Sequence, residues 1–260
     1  MIELNGNKII PTIFPDKTSQ VWKLQEYFFE GYESNITWKF EHEGEFIHLA
    51  QLIHLIQYKK RGPLYIVLHL PYLPYGRQDK YISNEETFAL ITFILLLGNI
   101  GIQKIIVNDP HSTDILFTFR GKIEAIEIIY PISEVQETFK KVCADYIAYP
   151  DHGALEKYKN IYKDIPYIHA KKERNQETGE ILELEIEGEQ CIKDKNILIV
   201  DDICDGGCTF IRLAEKLYKK GAKNVHLFVS HGLFTKGLEC LHEAGIKRIF
   251  TPEGEQDVKL

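Results

Sequence analysis

The chain has 260 residues, room for one large α/β domain or two smaller ones, each with its own core. Its 44% hydrophobic and 27% charged residues exclude a disordered chain. Its net charge of −7 speaks against broad, sequence-independent binding to nucleic acid, though it leaves room for a local nucleotide pocket. Five cysteines (143, 191, 204, 208 and 240) contain no CxxC pair, and "MIELNGNKII" has no signal-peptide pattern, so reduced thiols in a cytoplasmic protein are expected.

In chain order, strands are expected at 34–40, 63–71, 104–108, 123–129, 145–150, 166–170, 196–202, 225–230 and 248–251. Helices are expected between them at 45–59, 85–98, 133–142, 154–162, 209–220 and 235–244. The apolar stretch "FALITFILLLG" (88–98) is too short to span a bilayer and reads as a buried helix, with Ser83 and Glu86 as its capping box. Phe210, Leu213, Ala214 and Leu217 recur at i, i+3, i+4 and i+7, the apolar face of a helix. Residues 174–190 break the alternation with a polar, acidic excursion that reads as a β-hairpin or flap with "ETGE" as its turn. The alternation predicts parallel sheets flanked by helices, in two halves, 1–137 and 138–260.

The stretch "NILIVDDICDGGCTF" (196–210) concentrates the chemistry. A buried strand ends in Asp201 and Asp202, and a loop, Asp205-Gly206-Gly207-Cys208-Thr209, opens a helix. Backbone N–H groups at a helix N-terminus favour phosphate, whereas carboxylates repel it. Both fit a single ligand that also carries hydroxyls and a divalent metal, since carboxylates accept from hydroxyls and Mg²⁺ takes oxygen ligands. A phosphorylated ribose has this character. As an isolated pattern the stretch is equally consistent with a helix cap and a solvated turn. No GxxxxGK[ST] sequence is present, so a P-loop kinase is excluded.

"IVDDICDGGCTF" resembles the signature of phosphoribosyl pyrophosphate (PRPP) binding proteins, and other segments resemble the PRPP synthetases, or ribose-phosphate pyrophosphokinases. "LPYLPYGRQDK" (70–80) is similar to their ATP loop, "NDPHST" (108–113) to a metal-binding Asp-x-His element and "YPDHGALEKY" (149–158) to a Pro-Asp-x-Gly segment. "SHGLF" (230–234) and, more weakly, "FPDKTSQVWKL" (14–24) also have counterparts, so the resemblance runs in order over most of the chain. It implies two type I phosphoribosyltransferase-like α/β domains, each a mainly parallel sheet flanked by helices. It also implies transfer of the β,γ-diphosphate of ATP to the 1-hydroxyl of ribose 5-phosphate, with release of AMP.

On that resemblance, Arg77, Gln78 and Asp79 contact ATP, and His111 with Asp109 holds Mg²⁺. Asp151 is a further metal or substrate candidate that could equally cap a helix. Lys172 and Arg174 stabilise transition-state charge. Asp201 and Asp202 hold the ribose hydroxyls, and Asp205, Gly206, Gly207, Cys208 and Thr209 the 5-phosphate. The implied partners are small molecules and other copies of the chain, as a homodimer or larger oligomer. The chain ends soon after "RIFTP", ahead of a strand and helix usual in the family, so the family's hexamer and regulatory site are not implied.

Position 206 departs from the pattern, with glycine where synthetases carry a hydroxyl residue. A wider, more flexible loop is one expectation, and it motivates ADP-ribose as an alternative acceptor. A PRPP-consuming phosphoribosyltransferase and a non-catalytic relative that regulates a synthetase are further alternatives.

Overall fold

The first nine residues fold back on themselves. Asn5 and Gly6, both at positive φ, turn β1 (Ile2–Leu4) into β2 (Asn7–Ile9), the backbone that an Asn-Gly hairpin turn favours. This hairpin was absent from the sequence expectations. The structure, a computed structural model, describes residues 1–25, 32–60, 64–81, 85–113, 123–174, 181–187 and 191–257, with the backbone alone at 172–174 and 181–184. The chain divides into two units, Met1–Tyr130 and Pro131–Leu260.

In the first unit, β3 (Thr12–Ile13) and β4 (Ser19–Gln20) pair with each other apart from the main sheet. There follow β5 (Glu33–Trp38), α1 (Glu45–Lys59), β6 (Tyr65–Leu70), α2 (Ala89–Asn99), β7 (Lys104–Asn108) and β8 (Ala125–Ile129). The sheet order is β2-β1-β5-β6-β7-β8, with β5 to β8 parallel and β1 antiparallel to β5. Trp38, Leu49, Ile53, Leu68, Phe93 and Val107 lie in its core. Helix α2 begins at Ala89 instead of 85. Phe88 leaves the helical region and packs edge-on against Tyr81, and the Leu90 N–H donates to the Gln78 carbonyl. Ser83, the expected capping residue, lies outside the described residues.

The second unit contains α3 (Ile132–Lys141), β9 (Tyr146–Tyr149), α4 (His152–Tyr158), β10 (Tyr167–Arg174), β11 (Ile181–Glu187) and β12 (Asn196–Cys204). It continues with α5 (Cys208–Lys219), β13 (Asn224–Gly232), α6 (Glu239–Glu243), β14 (Ile246–Thr251) and β15 (Gly254–Gln256). Its sheet order is β11-β10-β9-β12-β13-β14-β15, parallel except at the two edge strands. Ile197, Leu198, Ile199 and Val200 of β12 are all buried, as a central parallel strand covered on both faces requires. The apolar face of α5 (Phe210, Leu213, Ala214, Leu217) is buried as its periodicity predicts.

Strands β10 and β11 pair antiparallel, which bears out the hairpin reading of the acidic excursion; the "ETGE" turn lies outside the described residues. Helix α6 is far shorter than the expected 235–244. The segment before it is drawn onto the end of β12, where the N–H groups of Leu233 and Phe234 both donate to the Cys204 carbonyl, at 2.8 and 3.1 Å.

His226 on β13 is 6% exposed, and burial lowers its pKa to about 4, with Arg248 and Lys247 adding to the effect and Glu255 opposing it. The unfolded chain therefore binds this proton more readily than the fold does. The associated stability is complete above about pH 6.5 and falls as pH drops toward 4, by about 1.4 kcal/mol per pH unit. Urea titrations between pH 7 and pH 4 should show a steeper loss for the wild type than for His226→Phe. Equal slopes would remove His226 as the source.

Candidate active site

Strand β9 leads through α4 to β10 on one side of the second sheet, whereas β12 leads through α5 to β13 on the other. The carboxyl ends of the neighbouring parallel strands β9 and β12 therefore flank a topological switch point, where open α/β sheets leave a crevice for ligands. Asp151 follows β9, and Asp201 and Asp202 lie near the end of β12.

Asp202 is buried, and its Oδ2 lies 3.5 Å from Nζ of Lys157, a residue of the crossover helix α4. The Asp202 N–H donates to Asp201 Oδ1 at 3.0 Å. Burial pushes the Asp201 carboxyl well above the usual carboxylate range, and the charges of Asp202 and Asp151 push it further. The Asp151 side chain accepts from the Ala154 N–H at 3.0 Å, so of its two sequence readings the helix cap is present.

Past β12 the loop is tightly held. Asp205 is tied to the segment after β13 twice: Thr235 Oγ1 donates to its carboxylate at 2.6 Å, and the Thr235 N–H to its carbonyl at 3.2 Å. Gly207 has φ +75° and forms the N-cap of α5 without a side-chain cap bond. A Cβ there would lie 2.7 Å from Leu241 Cδ2, so both backbone and packing require glycine. At Gly206 a Cβ would meet the stem of Lys236 at 3.3 Å (Cε) and 3.4 Å (Cδ). The open, flexible loop expected from two glycines is thus a closely packed one. Cys208 and Thr209 begin α5, the former exposed and the latter half-buried.

The first unit gathers its candidates at the carboxyl ends of adjacent strands β6 and β7. The turn after β6 is closed by Gly76 N–H to Leu73 O (3.2 Å) and Gln78 N–H to Tyr75 O (2.8 Å), with Tyr75 at φ +62°. Its side chain is anchored by Phe40 and Phe93, and its hydroxyl donates to Glu43 at 2.8 Å. This presents Arg77 and Gln78 at the surface, with Asp79 half-buried. Asp109 is buried at φ +36°, its N–H donating to the Ile129 carbonyl at 2.9 Å, while His111 is exposed. A Cβ at Gly76 would lie 3.9 Å from His111 Cβ, so the arginine turn and the histidine are brought together.

Lys172 and Arg174 lie on β10 opposite Leu184 and Ile181 of β11, with an irregularity in register between residues 173 and 174; their side chains are outside the described residues. Lys157, Thr235 and Lys236 were not among the sequence candidates. Lys157 falls within the quoted "YPDHGALEKY" and Thr235-Lys236 directly follows "SHGLF", so the segments were visible but their long-range partners were not.

Among the described residues no group of three or more carboxylate, imidazole or thiolate side chains is placed to hold a metal ion alone, and no helix is long and apolar enough to cross a membrane. None of the five cysteines is in a disulfide.

Two α/β units of this build, with mainly parallel sheets and loops gathered at their carboxyl ends, define a pair of type I phosphoribosyltransferase-like domains. Residues 158–259 match the phosphoribosyl transferase domain family. The ribose-phosphate pyrophosphokinase of Saccharolobus solfataricus is 30% identical over 207 residues, covering 78% of this chain and 70% of that protein. That of Sulfurisphaera tokodaii is 31% identical over 213 residues, covering 80% and 71%. The crystal structure of phosphoribosylpyrophosphate synthetase from Mycobacterium smegmatis superimposes with a TM-score of 0.76 at 19% identity, over 94% of this chain and 79% of that one, a likeness of fold. The chain belongs to the ribose-phosphate pyrophosphokinase family, a family of diphosphotransferase enzymes.

Ionising Asp201 beside Asp202 and Asp151 costs stability. Its folded pKa is raised, so its favourable contribution is present at acid pH and lost as pH rises through the folded value. At neutral pH, Asp201→Asn should raise the melting temperature of the free protein. A lowered melting temperature would contradict the crowding of charge described here.

Proposed function

We propose that the protein transfers the β,γ-diphosphate of ATP to the 1-hydroxyl of ribose 5-phosphate, giving PRPP and AMP. The observation that carries this reading is the placement of Asp201, Asp202 and the glycine-led N-terminus of α5 at the switch point of the second sheet. The names of the relatives support the same chemistry.

Asp201 and Asp202 accept from the ribose hydroxyls, with Lys157 stabilising the Asp202 carboxylate for this role. Backbone N–H groups at the start of α5, with the Thr209 hydroxyl, receive the 5-phosphate. In the first unit Arg77, Gln78 and Asp79 contact ATP, the arginine offering a planar fork to phosphate. Lys172 and Arg174, carried on the β10–β11 hairpin, neutralise charge on the transferred group, and closure of the hairpin excludes water.

Mg²⁺ carried on ATP phosphates would use only one or two protein carboxylates and keep several waters, which suits the sparse pair of His111 and Asp109 in the first unit. Bound there, the ion neutralises phosphate charge. Asp151, already a helix cap, is the lesser candidate ligand. Assembly as a homodimer or larger oligomer in a reducing, cytoplasmic setting belongs to the same proposal, and the five free thiols agree with it. The ADP-ribose alternative drew on the glycine-rich loop and the early end of the chain, and a comparison of the two acceptors separates it from ribose 5-phosphate.

Incubation with ATP, Mg²⁺ and ribose 5-phosphate should release AMP in step with consumption of the acceptor, while ADP-ribose should give little. AMP release with ADP-ribose alone would replace the acceptor, and release with neither would overturn the assignment. Lys172→Ala should lower kcat by about 10²–10³-fold with an unchanged circular dichroism spectrum. Turnover near wild type would remove Lys172 from catalysis.

A further inference from the structure

The loop proposed to seat the 5-phosphate is surrounded by like charge. Asp201, Asp202 and Asp205 are all within a few residues of it, and a phosphate monoester is itself close to a dianion at neutral pH. Against this the N-terminus of α5 contributes the equivalent of roughly half a positive charge. Lys157 is engaged by Asp202. The loop 205–209 itself carries no cationic side chain to offset this charge.

Lys236 is positioned to supply one. Its Cγ, Cδ and Cε lie 3.7, 3.4 and 3.3 Å from the position a Cβ would take on Gly206, so the outer stem passes across the glycine and the ammonium is one bond farther along. The segment bearing it is fixed to the loop. Leu233 and Phe234 N–H groups donate to the Cys204 carbonyl, and Thr235 bonds Asp205 through both its backbone and its hydroxyl. Gly237 at φ +75° follows immediately. The ammonium makes no ion pair or hydrogen bond among the described residues.

We propose that Lys236 is a specificity-determining ligand of the acceptor's terminal phosphate, its stem running in contact with Gly206. A Cβ at 206 would require the lysine stem to give by a few tenths of an ångström. This inference rests on the proposed acceptor site and adds to it a residue and a charge preference. The Lys236 ammonium selects a phosphate monoester over an uncharged sugar or an acceptor whose phosphate is esterified further.

The test is steady-state AMP release by the full chain, with calorimetric binding of ribose 5-phosphate as a second readout. Lys236→Met should raise both KM and Kd for ribose 5-phosphate by about 10- to 100-fold, the range for a hydrogen bond to a charged group, with kcat and the KM for ATP little changed. Lys236→Arg should retain most of the affinity. Wild-type AMP release on ribose 5-phosphate with unchanged KM and Kd in Lys236→Met would overturn the role of Lys236 while leaving the proposed reaction intact. A wild type that neither binds nor uses ribose 5-phosphate would overturn the reaction, and this role with it.

Discussion

Two carboxylates side by side at the end of a buried parallel strand impose the constraint around which the second unit is arranged. Asp201 and Asp202 cannot both carry full charge there without nearby compensation, because burial and mutual repulsion act together on them. Lys157 supplies part of it, reaching Asp202 from the crossover helix. The dipole of α5 adds more from the other side of the loop. What is left is a site whose free state is electrostatically unfavourable. Sites of this kind trade stability of the empty protein for affinity.

The fold determines where that constraint appears. Crossovers leaving β9 and β12 in opposite directions part at those strands' carboxyl ends, so the ligand space follows from topology before any side chain is considered. In the first unit the crossovers run one way from β5 to β8, and it is the carboxyl ends of the adjacent strands β6 and β7 that bring the Arg77 turn against His111. Positive-φ residues at Tyr75 and Asp109 bend the chain sharply at these two strand ends. In each unit the apolar run builds the strand, and the polar residues immediately after it meet those of the neighbouring strand.

Much of this was legible in the sequence because its signals are local. The run 196–200 and the four-residue face of α5 each specify their element by periodicity, and the acidic loop lies at their junction. Asn5-Gly6 was an equally local signal for the first hairpin, but the flanking strands have only three residues each and their apolar alternation is too short to stand out. The failures at α2 and α6 have a different origin, tertiary capture: Gln78 O takes the Leu90 N–H, Cys204 O takes the N–H groups of Leu233 and Phe234 just before the expected α6, and Asp205 O takes that of Thr235 at its start. Lys157 and Lys236 were invisible for the same reason, since their significance lies in contacts with Asp202 and Gly206, 45 and 30 residues away in sequence. Reading Gly206 as open space was the natural inference from glycine alone. The stem of Lys236 borders that space at contact distance.

The acceptor seat can be observed directly in electron density for the protein crystallised with ribose 5-phosphate. The phosphate is expected at the backbone N–H groups that open α5, with the ribose hydroxyls on Asp201 and Asp202. Phosphate density away from residues 205–209, or hydroxyls directed away from both aspartates, would contradict the carboxylate-and-glycine seat.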